Sequence, residues 1–232
     1  MACPEDRDDQ DEHPGDRSSA LAHSEAFIRE DDQALPKGLQ LKESWIRAFG
    51  ICGILAPILA LVFIGVSIMI HPEFNFPDYA LSHLGALDTP DHIIYNVGMV
   101  LTGCTGILFS CGVPGLVNTK IGVLGILVFA SGFFSLALVG VFPGGTSPHN
   151  TVSMAFFTLS TFGILILALD QLLKSSTRLW GVLLMALIFL GVISAVLVGK
   201  IPHLGAAIPE TIGAVAFSEF SIVFGLRLLK LL

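Results

Sequence analysis

A chain of 232 residues that is 53% hydrophobic and only 13% charged, with a mean hydropathy of +0.78, carries more apolar surface than a water-soluble fold can bury. That composition excludes an ordinary soluble domain and defines a polytopic membrane protein. The net charge of −7 is unevenly spread: Met1–Gln33 holds eleven acids against three arginines, and the rest is close to neutral with no basic patch suited to nucleic acid.

Residues 1–40 are acidic and lack apolar periodicity, so the sequence predicts a disordered cytoplasmic tail there. The start does not have the basic-then-apolar pattern of a signal peptide. Beyond it, six stretches meet the requirement of about 20 apolar residues for a membrane span. They fall at about 47–70, 90–113, 121–142, 148–172, 179–199 and 209–229. The expected fold class is all-α, six transmembrane helices in one bundle. Pro57 within the first span predicts a kink. Thr102, Gly106 and Ser110 on the second span, with Ser131 and Ser135 on the third, suit close helix packing. Cys3, Cys52, Cys104 and Cys111 make no CxxC pair and no metal-ligand spacing, and read as small apolar packing residues.

Orientation follows from the basic residues. One side collects Lys37, Lys42, Arg47, Lys120, Lys174, Arg178, Arg227 and Lys230, whereas the connections on the other side contain only Lys200. By the positive-inside rule both termini are cytoplasmic, in the cell membrane. Trp45 and Trp180 are then interface anchors on the inner side, and Tyr79 and Tyr95 on the outer.

The outer side holds most of the chemistry. His71, His83, His92, His149 and His203 lie there, with Glu73, Asp78, Asp88, Asp91 and Glu210. Three inward-running spans open alike, with Thr89-Pro90-Asp91-His92, Ser147-Pro148-His149-Asn150 and Ile208-Pro209-Glu210-Thr211. Pro near the first helical position loses no hydrogen bond, Thr89 and Ser147 are reasonable N-caps, and Asp91 and Glu210 complement the helix dipole. Those roles account for much of the pattern, but not all. Asp88, His92 and Asn96 recur every fourth residue, and His149, Ser153 and Ser160 line a similar stripe. The candidate polar site is therefore Ser82, His83, Asp88, Asp91, His92, Asn96, His149, His203 and Glu210. His83-Leu84-Gly85-Ala86 is echoed by His203-Leu204-Gly205-Ala206, as a duplicated hairpin would produce. Glu219 stands apart, nine residues or ~13 Å below Glu210, and a carboxylate at that depth is expected to face protein or water.

The order Ser82-His83-Leu84-Gly85, Asn96-x-Gly98, Phe142-Pro143-Gly144, His149, then Gly205 and Glu210 resembles the prokaryotic multi-pass family known as domain of unknown function 998. More remotely it is similar to the eukaryotic Frag1/DRAM/Sfk1 membrane proteins. The resemblance covers about residues 45–232 and implies a six-helix integral membrane protein with no established reaction. The remoter group implies lipid organisation and trafficking.

Three functions fit these residues. The first is a lipid-interacting protein without catalysis, with membrane lipids as partners and a homo-oligomer compatible. The second is a zinc-dependent lipid hydrolase, with His83, His92, His149 and His203 as ligands and Asp88 or Asp91 as ligand or base. No HExxH motif supports it. The third is a proton-coupled transporter using Glu219 and Asn96.

Overall fold

The computed structural model describes residues 42–117 and 119–230, and the tail expected over 1–40 lies outside them. Among the described residues there are six long helices and no strand: α1 (Glu43–Ile70), α2 (His92–Gly112), α3 (Lys120–Val141), α4 (His149–Leu172), α5 (Arg178–Val198) and α6 (Ala207–Leu228). Each is long and apolar enough to cross a membrane. Helix is what such segments must form, because lipid offers no partner for a free backbone N–H or C=O. The chain is a multi-pass membrane protein with six spans.

The predicted spans agree with these helices to within a few residues, and the main departure is α1. It starts at Glu43 and runs 28 residues, roughly 42 Å at 1.5 Å per residue, which exceeds a ~30 Å hydrocarbon core. Its polar first turn carries exposed pairs from Glu43 to Arg47 at 3.3 Å and to Lys230 at 3.2 Å. Exposed pairs of this kind contribute little. Pro57 is buried inside α1 and the helix continues through it.

Each helix packs on the next, and α6 closes the ring against α1. Phenylalanines fill the centre. Phe129 of α3 meets Phe220 of α6 edge-on at 4.7 Å, Phe109 of α2 packs on both, and Phe156 of α4 sits 5.5 Å from Phe217. Edge-to-face rings supply directional contact that lipid tails cannot match. Small residues let the backbones approach. A Cβ on Gly163 would lie 2.6 Å from the Phe129 nitrogen, so α3 and α4 touch backbone to backbone there. The expected seam on α2 is present, since Thr102, Gly106 and Ser110 are buried, but on α3 Ser131 is exposed and only Ser135 is inside.

Several local expectations are corrected. Thr89 and Ser147 are not caps: Thr89 Oγ1 donates to the His83 carbonyl, and α4 follows Pro148 with no side-chain cap. Asp91 takes the N-cap position of α2 in a left-handed conformation, φ 53°, also without a side-chain bond. Thr119 does cap α3, accepting from the Gly122 N–H at 3.0 Å. Cys104 and Cys111 face outward rather than into the packing. Tyr95 is buried in the core and is no interface anchor. The echoed tetrapeptides also differ in backbone: His83 belongs to the 3-10 helix Leu81–Gly85, whereas His203 has φ 66° in a turn.

Candidate functional site

At the end of the bundle where α2, α4 and α6 begin, three connections fold onto one another. The long connection after α1 is polar and proline-bearing, so it cannot extend a span, and it turns through the 3-10 helix Leu81–Gly85. Its first N–H, from Leu81, donates to Glu210 Oε2 of α6 at 2.8 Å. Asn96 of α2 donates from Nδ2 to the Gly85 carbonyl at 3.0 Å. The connection before α6 joins through backbone bonds from Gly205 to Pro77 and from Ala207 to Tyr79. The turn before α4 closes in as well, since a Cβ on Gly144 would come within 2.9 Å of the Ser82 carbonyl. Residues far apart in sequence thus build one fixed cap.

A cleft of about 780 Å³ opens in this cap, and Ser82, His83, Asp88, His149 and Glu210 line it together with Asn150 and Ser153. Two imidazoles are held in opposite senses. Ala80 N–H donates to His83 Nδ1 at 3.2 Å, so neutral His83 carries its proton on Nε2. His149, only 5% exposed, donates from Nδ1 to the Phe142 carbonyl at 2.8 Å, so its neutral Nε2 offers a lone pair. The site therefore holds a fixed donor and a fixed acceptor beside two carboxylates.

Not every predicted member is here. His92 and Asn96 line a separate groove of about 360 Å³ between α2 and α3, with Gly140 and Pro143. Asp91 and His203 are exposed and do not line the cleft. The four imidazoles offered as zinc ligands are thus not brought together. Among the described residues no group of three His, Cys, Asp or Glu side chains is placed to hold a metal ion. Glu219 is exposed on α6 and faces neither the packed interior nor the cleft.

Beneath the cleft lies a small apolar cavity of about 90 Å³, walled by Met99, Phe133, Phe156 and Phe217. Beside it a groove of about 380 Å³ runs between α4, α5 and α6, lined by Ile188, Ala195 and Gly213. Glu210 and Phe157 line all three spaces. Sequence reasoning overlooked Phe157, although His149, Ser153 and Phe157 recur every fourth residue on α4. It also overlooked Asp170 near the far end of α4, 1% exposed, which takes hydrogen bonds from Thr119, from Gln171 at 3.0 Å and from Lys174 at 3.1 Å.

Six apolar helices closed into a ring, with interlocked connections over one end, define an integral membrane protein with a cleft at that end. The family model described as a protein of unknown function, DUF998, matches residues 54–227, and the chain belongs to that family. Neither the curated proteins nor the solved structures contain a match.

Proposed function

We propose that the protein binds a membrane lipid, with the headgroup in the polar cleft and part of an acyl chain in the apolar spaces beneath and beside it. One observation carries this reading: Glu210 and Phe157 line the cleft, the core cavity and the groove between α4, α5 and α6. A polar chamber meeting apolar ones at a shared wall has the division of an amphiphile. Concave sites with a few placed polar groups over an apolar lining are the usual form of small-ligand sites. The excess of Lys and Arg at the opposite end supports a cell-membrane orientation with both termini cytoplasmic and the cleft outside. The hydrolase reading has less support, because only His83 and His149 of its four imidazoles line the cleft. The transport reading has less support because Glu219 lines none of the three spaces.

Lipid extraction and mass spectrometry of extensively delipidated protein test the proposal. Wild type should retain a defined lipid near one per chain. Ala195→Phe, which fills the groove from α5, should retain severalfold less at an unchanged melting temperature. Equal retention in the two proteins would remove the basis for this reading.

A further inference from the structure

Among the described residues, the ionisable groups lining the cleft are two carboxyls and two imidazoles. Glu210 accepts from the Leu81 N–H on Oε2, and its second oxygen has no protein partner among the described residues. Among the described residues, none donates a hydrogen bond to the exposed Asp88 carboxylate, and no Lys or Arg lines the space. His149 adds a further acceptor, since its buried ring commits Nδ1 to Phe142 and leaves the Nε2 lone pair on the cleft side. A site that bound an anion would not be built around two carboxylates without a cation to offset them.

We infer that the cleft recognises an ammonium group, the amine of a zwitterionic phospholipid headgroup, an assignment that rests on the lipid-binding reading above. An ammonium offers three N–H donors and accepts none. Glu210, Asp88 and His149 Nε2 supply the complementary set: two carboxyl groups and an imidazole lone pair, an approaching ammonium itself favouring the ionised form of the partly buried Glu210. The adjoining phosphate, which accepts only, has its own partners in the same cleft. They are His83 Nε2–H, the Ser82 and Ser153 hydroxyls and the Asn150 amide. A headgroup with phosphate and no amine meets those donors too, but it leaves both carboxylates unopposed. Discrimination therefore depends on Glu210 and Asp88, whereas apolar binding depends on the spaces below.

The test is native mass spectrometry of the full chain in detergent, titrated with phosphatidylethanolamine, with phosphatidylglycerol of the same acyl chains, and with soluble phosphoethanolamine. Wild type should bind the ethanolamine lipid about ten-fold more tightly than the glycerol lipid, or more. Asp88→Asn and Glu210→Gln should each bring the two within about three-fold. Gln keeps an oxygen for the Leu81 N–H, and Asp88 is exposed, so neither change removes a core contact. Glu219→Gln, a carboxylate outside the cleft, should leave the ratio unchanged. If soluble phosphoethanolamine binds as tightly as the lipid, the ammonium site stands and its ligand is the free molecule. Equal binding of both lipids by wild type, or discrimination that persists in Asp88→Asn and Glu210→Gln, overturns the amine assignment alone. Failure to bind either lipid overturns the lipid reading and this inference together.

Discussion

Asp170 and Glu210 are both carboxylates near helix ends, yet their surroundings give them different roles. Asp170 is buried and its oxygens are taken by Thr119, Gln171 and Lys174, so it ties the start of α3 to the end of α4. A buried acceptor that is fully engaged becomes costly when removed, because its donors lose their partners. Asp170→Ala should therefore destabilise the protein by about 2 kcal/mol, limited because Lys174 can turn to water. Asp170→Asn, which keeps one acceptor oxygen, should cost clearly less. Thermal unfolding in detergent measures both, and equal melting temperatures for Ala and wild type would show that the cluster does not hold these helices. Glu210, by contrast, has an oxygen to spare on the cleft side. The difference was not readable beforehand. Asp170 announced itself only as the first member of an i, i+4 pair with Lys174, a pattern common on exposed helix faces.

At the scale of elements, glycine separates packing from mere presence in a span. The Gly163 site has the Phe129 backbone of α3 against it, with no flexible side chain to give way. Gly163→Ala should push α3 from α4 and lower stability by about 1–3 kcal/mol. At Gly65 of α1 a Cβ meets nothing within 4 Å, so Gly65→Ala should be neutral or gain up to about 1 kcal/mol from helix propensity. Melting temperatures of the pair, measured together, check the contrast; a loss at Gly65 matching that at Gly163 would mean propensity and packing are not separable here. The spans themselves were legible because length and hydropathy are local properties. The cap over the cleft was not, because its bonds join Leu81 to Glu210 across 129 residues. Of the stripe Asp88, His92 and Asn96, the last two do share one groove and only Asp88 departs, for a related reason. Asp91 turns left-handed and α2 begins only at His92, so Asp88 leaves the helical register and joins His83 instead.

For the whole molecule, the two ends of the ring are chemically unlike, and that asymmetry sets a direction. Lys120, Lys174 and Arg178 lie in or beside the connections after α2 and α4, on the same end as the polar first turn of α1. The opposite end carries the cleft and, in its connections, only Lys200. Moving a cluster of Lys and Arg across a membrane is the disfavoured step of insertion, which supports the proposed orientation with the basic end cytoplasmic. Ser147, in the turn before α4, and Ser176, before α5, are exposed and sit at opposite ends of one helix, which makes them paired reporters. In a background with every native cysteine replaced, Ser147→Cys should react with a membrane-impermeant maleimide on intact cells. Ser176→Cys should react only after permeabilisation. The reverse pattern would place the cleft on the cytoplasmic side, and the proposed headgroup would then be one of the inner leaflet. Because α4 crosses once between the two positions, labelling at both on intact cells is incompatible with an intact span. The paired result therefore fixes which leaflet the proposed lipid site faces.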